Sequence, residues 1–313
     1  MILATIPLRA DDGAASIAAG GVVLMKREPR ITMAKEVLQI SGSKVIVDYD
    51  FRNDSDQEIT TGVAFPIPDY DHDLFREGRG ASQRGFDDFQ LWIDGMATRY
   101  RVEARAFLKE AEYTNLLTGM HVDIASFGHA PEAGRIPGLS PAQREQLEKL
   151  GLIDRDEGEP LWSVKKKYYW EQRFPAHKTV HIHHEYTPIL GASNSITYGM
   201  GPEPNANSAK ELKSFCIDGR LHGILQSVVD SKDRSASYSY VDFILTTANT
   251  WKTPIEDFTL IVERAHRQES LKGYVSFCWD GPVTKIDADH FSAHAIKLVP
   301  TGELRVGFFD VEE

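Results

Sequence analysis

Three side chains on one short stretch have the types and the spacing of a metal site. His181, His183 and Glu185 occupy alternate positions of segment 179–186, in which polar and apolar residues take turns, and His177 precedes it. This alternation is typical of a β-strand with one buried face. Alternate side chains on a strand lie roughly 6–7 Å apart, so two imidazoles and a carboxylate can converge on zinc or another transition metal. A solvated polar face explains the same pattern, and both interpretations stay open.

The other face of this segment and the neighbouring aromatic residues suggest a binding site. His184 is in phase with the apolar residues, which favours a buried, hydrogen-bonded structural histidine over a binding or catalytic one. Aromatic rings can line a carbohydrate or peptide groove, although core packing is the commoner reason for their presence. The binding candidates are His184, Tyr186, Trp170 and Trp251.

A second cation candidate is an acidic segment near residue 70. Asp69, Asp71 and Asp73 have the spacing that opens a calcium-binding loop. Leu74 stands where such a loop needs glycine, and Gly80 stands where it needs its closing glutamate. The pattern is therefore not an EF-hand, and it leaves a looser calcium site or a solvated acidic loop.

The cysteines indicate a structural role. Cys216 and Cys278 are the two cysteines of the chain, and neither has the local His or Asn pattern of a catalytic thiol. In an oxidising compartment they would form one disulfide, and in a reducing one they would stay buried free thiols. The sequence also has no phosphate loop, nucleotide fingerprint or nucleophile elbow.

The elements that must position these side chains are strands. Besides segment 179–186, residues 45–51 and 98–105 alternate polar with apolar positions, and the Asp94-Gly95 pair is a hairpin turn signal. Apolar strand faces need a second sheet to pack on. Helices are predicted over residues 106–117, over 141–150 behind an N-cap at Ser140, and over 219–230.

The predicted fold is mainly β, with two antiparallel, β-sandwich-like lobes of Ig-like style and a helical insertion. The expected boundaries are 1–10 for a signal-peptide remnant, 11–105 for the N-terminal lobe, 106–160 for the helical insertion and 161–313 for the C-terminal lobe. Residues 1–10 contain a short apolar run and end in the small Ala10, which is typical of the tail of a secretory signal; a first strand is the alternative.

The composition excludes several functions. The 313 residues carry a formal charge of −11, and an acidic surface repels phosphate backbones and anionic headgroups. We therefore expect no nucleic-acid partner. No apolar run reaches the roughly 18–20 residues that cross a bilayer, so we expect no transmembrane segment.

Several segments, taken in order, carry a resemblance to a known family. They are residues 20–24 (GGVVL), 47–53 (VDYDFRN), 63–68 (VAFPIP), 104–108 (ARAFL), 184–188 (HEYTP), 247–251 (TANTW) with 254–255 (PI), and 276–281 (SFCWDG). Over nearly its whole length, the chain resembles the bacterial secreted family labelled domain of unknown function 4424. The resemblance implies an exported or periplasmic β-rich protein without an established activity, and it supplies no catalytic residues.

The sequence therefore favours a non-enzymatic, periplasmic or secreted module that binds an envelope protein or a small ligand. The alternative is a metal-assisted hydrolase that uses His181, His183 and Glu185. A third interpretation is a structural accessory subunit. We predict no catalytic residue and no cofactor, with zinc and calcium as the open exceptions.

Overall fold

The computed structural model describes residues 11–18, 21–24, 27–72, 74, 88–127, 136–193, 195–231, 233–264 and 271–312. The predicted signal remnant, residues 1–10, lies outside this part of the chain. The strands are β1 (Gly13–Ala18), β2 (Gly21–Leu24), β3 (Ile31–Ile40), β4 (Val45–Asn53), β5 (Ile59–Pro66), β6 (Tyr70–Asp71), β7 (Gln90–Ile93), β8 (Met96–Ala97), β9 (Arg101–Leu108), β10 (Ala111–Glu112), β11 (Ser163–Phe174), β12 (Thr179–Tyr186), β13 (Gly191–Ser193), β14 (Ala236–Phe243), β15 (Ile255–Glu263), β16 (Leu271–Phe277), β17 (Val283–Lys285), β18 (His290–Leu298) and β19 (Leu304–Glu312). The helices are α1 (Thr114–Gly119), α2 (Pro141–Lys149), α3 (Thr197–Met200), α4 (Ala206–Lys213) and α5 (Gly219–Val229), with a 3₁₀ turn at Thr246–Thr250.

The described strands form three sheets. Sheet I has the order β10-β9-β11-β5-β1-β2, with β6 also on β11; sheet II has the order β17-β18-β15-β3-β4-β12-β7-β8; sheet III has the order β13-β14-β19-β16. The pairs are antiparallel except that β15 runs parallel to β3. The prediction of a mainly β fold with antiparallel sheets is therefore confirmed.

Sheets I and II pack face to face because each has one apolar face to bury. Aromatic rings from the two sheets meet in the shared core: Phe51 of β4 lies 6.0 Å from Phe174 of β11, and Phe65 of β5 lies 5.0 Å from the His184 ring of β12. Sheet III and helices α3 to α5 enclose a second, smaller core around Phe215. The sandwich is thus the unit that positions the residues predicted to be functional.

Strand β12 has the form that the sequence predicts. Val180, Ile182, His184 and Tyr186 are buried, and the residues between them are exposed or half-buried. The strand pairs with β4 on one side and β7 on the other. The turn after β7 contains Asp94 with φ 49° and Gly95 with φ 77°, which is the backbone that a type I′ hairpin needs.

The predicted lobes share their sheets. Strands β3 and β4 come from the segment predicted as the N-terminal lobe, yet they lie between β15 and β12 of the C-terminal segment. Strand β11 likewise pairs with both β5 and β9. The two segments therefore interleave within one sandwich.

One helix prediction is wrong and two are confirmed. Residues 106–108 continue strand β9 and residues 111–112 form β10 instead of the predicted helix, because β9 pairs with β11 and tertiary pairing overrides a weak helix preference. Helix α1 begins only at Thr114. Helix α2 has the predicted capping box, with Ser140 and Gln143 bonding each other's backbone, and α5 buries Leu221, Leu225 and Val228. None of the helices in the described part of the chain has the length and apolar character of a bilayer span.

Candidate functional site

The two histidines predicted as metal ligands lie on the outer face of sheet II. Antiparallel pairing places His181 opposite Asp50 and His183 opposite Asp48. The His183 Nδ1 atom is 2.7 Å from Asp48 Oδ1, and the His181 ring is 3.0 Å from Asp50 and 3.2 Å from Asp48. The structure thus brings two imidazoles and two carboxylates together in a cross-strand ladder.

Glu185, the third predicted ligand, points to a different partner. Its carboxylate pairs with the ammonium group of Lys44 at 2.8 Å. Within the described ranges, no group of three or more His, Cys, Asp or Glu side chains has the arrangement of a metal site. The zinc site stays a prediction, and its ligands would have to exchange their present partners for the ion.

The acidic segment near residue 70 is partly described. Asp69 lies 3.5 Å from the ammonium group of Lys165, and the Asp71 carboxylate accepts a hydrogen bond from the backbone N–H of Leu74 at 2.8 Å. Asp73 lies outside the described residues. The calcium site therefore stays a prediction as well.

The four predicted binding residues lie inside the core. Their exposed fractions are 0% for His184, 1% for Tyr186, 1% for Trp251 and 4% for Trp170. The His184 ring lies 5.5 Å from the Trp170 ring, and both Tyr186 and His184 contact Phe65. Trp251 packs separately, against Phe51 and Phe174. The structure groups three of the four residues, and it places all four in packing positions.

Sequence reasoning missed a buried acid cluster, which we define as the side chains of Asp11, Asp12 and Glu36. All three have an exposed fraction of 0%. The Tyr49 hydroxyl donates to Asp11 Oδ1 at 2.6 Å. The Asp12 Oδ2 atom is 3.3 Å from His184 Nε2, a contact that becomes an ion pair when the imidazole is protonated.

A signal in the sequence could have found one member of this cluster. On β3, Glu36 is in phase with Leu38 and Ile40, so it occupies a position where the alternation requires an apolar residue. An acid at such a position is uncommon, because burying a carboxylate is costly. No comparable signal marks Asp11 and Asp12, since acids near the start of a strand are common on surfaces.

The surroundings of the cluster favour the protonated carboxyl groups. Burial raises the pKa of Glu36 well above its ordinary value, and the charges of Asp11 and Asp12 raise that pKa further. Burial also raises the pKa of Asp11 well above its ordinary value, against the opposing hydrogen bond from Tyr49. Burial raises the pKa of Asp12, and the nearby His184 opposes the rise. This arrangement can hold protons, or it can pair with a cation.

The backbone that carries Asp11 and Asp12 is held by the segment just before β15. Thr247 Oγ1 donates to the Asp11 carbonyl at 2.5 Å, and Trp251 Nε1 donates to the Asp12 carbonyl at 2.5 Å. The Ala14 N–H donates to the Thr250 hydroxyl, in the same segment, at 2.8 Å. The buried Trp251 therefore has a structural role: it positions the start of β1.

A disulfide joins Cys216 and Cys278, which are 62 residues apart in the sequence. Cys216 lies between α4 and α5, and Cys278 follows the last residue of β16. The bond therefore attaches the helical layer to the edge of sheet III.

A pocket of about 330 Å³ opens where α5 meets the edges of sheets II and III. Its lining includes four cationic residues, which are Arg220, Arg264, Lys272 and Lys285. The acidic residue in the lining, Asp218, is engaged as the N-cap of α5, because its carboxylate accepts from the Leu221 N–H at 2.7 Å. This concentration of positive charge stands out in a chain with a formal charge of −11.

Arg264 is the most constrained of these cations. One terminal nitrogen lies 2.8 Å from Asp289, and the other donates to the Gly273 carbonyl at 3.3 Å. In the described part of the chain, its Nε is buried without a hydrogen-bond partner. The guanidinium is therefore oriented by the protein.

Comparisons with known proteins give one family and several distant structural similarities. The family model described as "Domain of unknown function (DUF4424)" matches residues 10–306. A crystal structure from Legionella pneumophila subsp. pneumophila str. Philadelphia 1, provisionally described as a nutrient binding protein, has a TM-score of 0.41 at 14% identity. That alignment covers 90% of this chain and 68% of the other.

An M1 zinc metallopeptidase from Deinococcus radiodurans has a TM-score of 0.26 at 8% identity. The alignment covers 90% of this chain and 43% of the metallopeptidase, so this chain spans less than half of that protein. Scores this low carry no conclusion about the chain. No curated protein matches the sequence.

Proposed function

Since the chain belongs to the DUF4424 family, whose description carries no activity, we propose from the geometry that it is a non-enzymatic binding protein for a small anionic ligand. The observation that carries this proposal is the cationic pocket, which we define as the cavity lined by Arg220, Arg264, Lys272 and Lys285. Its volume of about 330 Å³ suits a small molecule.

The electrostatics support an anion rather than a neutral ligand. Cationic side chains in a concave site focus the local potential, and a guanidinium recognises carboxylate or phosphate oxygens with directed donors. Arg264 is already oriented by Asp289 and Gly273, so it would lose little conformational freedom on binding. The acidic remainder of the surface would repel anions elsewhere.

We place this binding protein in the periplasm or another oxidising compartment. The disulfide between Cys216 and Cys278 supports that location, because reducing compartments keep thiols apart. The apolar run and the small residue in segment 1–10 point the same way.

Isothermal titration with a panel of small ligands tests the proposal. The panel contains inorganic phosphate, sulfate, citrate, glucose and arginine, at two salt concentrations. We expect at least one anion to bind and the neutral and cationic compounds not to bind, with the affinity falling as salt rises.

The pocket variant is Arg220→Ala with Lys285→Ala, since both side chains are exposed and their loss should leave the fold intact. We expect the affinity for the anion to fall about tenfold or more, which corresponds to about 1.4 kcal/mol. The matched control is Lys210→Ala with Lys213→Ala on α4, which removes the same charge outside the pocket. An equal loss in both variants, or a panel in which no anion binds, would refute the proposal.

A further inference from the structure

The cationic pocket has an apolar side as well as a charged one. Of the eleven residues that line it, five carry an apolar or aromatic side chain: Leu221, Ile224, Tyr274, Val275 and Phe291. Leu221 is buried, and the other four are half-buried. Apolar surface in a cavity that opens to water is unfavourable, and covering it with an apolar group is favourable. The lining therefore matches a ligand that offers more than a charge.

Phe291 is the member of this apolar side that core packing does not explain. The residue is half-buried, yet it belongs to none of the three hydrophobic clusters that the described residues form. Ile224 and Tyr274 differ from it, because both pack against the second core around Phe215. An aromatic side chain that lines a cavity and stays outside a core is typical of a ligand contact.

Strand pairing places a cation beside Phe291. On β18, Phe291 is directly opposite Lys285 of β17 on one side and Val262 of β15 on the other. Residues directly opposite each other in an antiparallel pair share a face of the sheet, with Cβ atoms about 4.5–5.5 Å apart. Val262 is buried, so Phe291 and Lys285 are on the face of sheet II that points to the interior. An ammonium group and an aromatic ring are thus neighbours at the edge of this sheet.

Two further walls of the pocket repeat this combination. On α5, Arg220 and Ile224 are four residues apart, which puts them on one face of the helix with Cβ atoms about 5–6 Å apart. On β16, Lys272 and Tyr274 are alternate residues, so they share a face of the strand at a spacing of roughly 6–7 Å. Each wall therefore places a cation next to an apolar or aromatic group.

The size of the pocket and its two kinds of side chain fit one ligand chemistry. A cavity of about 330 Å³ is in the range of pockets for organic ligands, and an inorganic anion such as phosphate would fill a small part of it. Guanidinium and ammonium donors match the oxygens of a carboxylate, phosphate or phosphonate. The ring of Phe291 can pack against a second ring. A molecule with both properties is an organic anion with an aromatic body.

We propose that the ligand of the cationic pocket is an organic anion with an aromatic body, and that Phe291 selects this body. The cations bind the charged end of the ligand, and Phe291 covers the apolar end together with Ile224 and Tyr274. This inference rests on the proposed function, because it names the class of ligand for the same pocket.

Isothermal titration with a matched pair of phosphonates tests the class of ligand. Methylphosphonate and phenylphosphonate carry the same charged group and differ in the apolar body. We expect phenylphosphonate to bind at least about tenfold more tightly, because burial of its ring removes apolar surface from water. Equal affinities would overturn this inference and leave the anionic ligand of the proposed function standing. If neither phosphonate binds and no anion of the panel binds, the proposed function fails, and this inference fails with it.

The variant Phe291→Ala tests the role of the ring, and it should fold because the side chain lies outside the described cores. We expect the affinity for phenylphosphonate to fall about tenfold, while the affinity for methylphosphonate stays within about twofold of wild type. Should this variant fail to fold, Ile224→Thr replaces it, and we expect the same selective loss.

The matched control is Ile296→Ala, which shortens an exposed apolar side chain of the same strand outside the pocket lining. We expect this control to keep the wild-type affinity for both phosphonates. A Phe291→Ala protein that keeps the wild-type preference for phenylphosphonate, or that loses both ligands equally, would overturn the assignment of Phe291.

Discussion

Replacing Glu36 with Gln should remove a large part of the pH dependence of the free energy of unfolding. The pKa of Glu36 is raised in the folded chain, so in a window above the ordinary value of about 4.3 the folded state holds a proton that the unfolded state has released. The stability that this group contributes is present below the unfolded pKa. It is lost as the pH rises through the folded pKa.

The magnitude follows from proton linkage. Within that window, each carboxyl that is protonated only in the folded state lowers the free energy of unfolding by about 1.4 kcal/mol per pH unit as the pH rises. Asp11 shares the strong rise in pKa, so these two groups together should cost the wild-type chain up to about twice that amount per unit. The Glu36→Gln variant should lose about 1.4 kcal/mol per unit less than the wild type.

Urea unfolding at about pH 5, 6 and 7, followed by the fluorescence of the buried Trp162 and Trp251, measures this difference. Subtracting the wild-type free energy of unfolding from that of the variant at each pH removes the contribution of the surface histidine–aspartate pairs, which both proteins share. The Glu203→Gln variant controls for the loss of an exposed carboxylate. If the free energy of unfolding changes with pH at the same slope in the wild type and in Glu36→Gln, the result would falsify the reasoning.

Three further predictions concern other parts of the molecule. Cys216→Ser with Cys278→Ser should lower the free energy of unfolding by about 4 kcal/mol, measured by urea unfolding against wild type with and without reductant; an unchanged value would contradict the chain-entropy reasoning. Trp251→Phe should cost about 1–3 kcal/mol, because the Asp12 carbonyl loses its buried donor, and a thermal midpoint equal to that of wild type would contradict this role. In the predicted metal site, the His181 imidazole contacts Asp50 and the His183 imidazole contacts Asp48. Because both imidazoles already have these partners, we expect metal analysis of untagged protein to find no zinc. One zinc per chain, lost in His183→Ala, would instead establish the site.

Local patterns in the sequence determined the strands and several of their ends. The alternation over 179–186 defines a strand whatever it pairs with, because the side-chain period of two is a property of the extended backbone. The Asp94-Gly95 turn and the Ser140 capping box are equally local, since each depends on hydrogen bonds or dihedral angles within a few residues. The cysteine pair could be predicted from the compartment, but its formation depends on the fold.

Only the tertiary structure decided which strands are neighbours, and with them the chemistry of the core. Residues 106–108, which local preference assigns to a helix, continue strand β9 because β11 and β10 pair with them. Asp12, just before β1, lies 3.3 Å from His184 of β12, and Glu36 lies on β3, because these strands belong to two sheets that pack face to face. The cationic pocket likewise assembles from residues that are distant in sequence. Local preferences act over a few residues, whereas the electrostatic environment of a buried group is set by everything that packs against it.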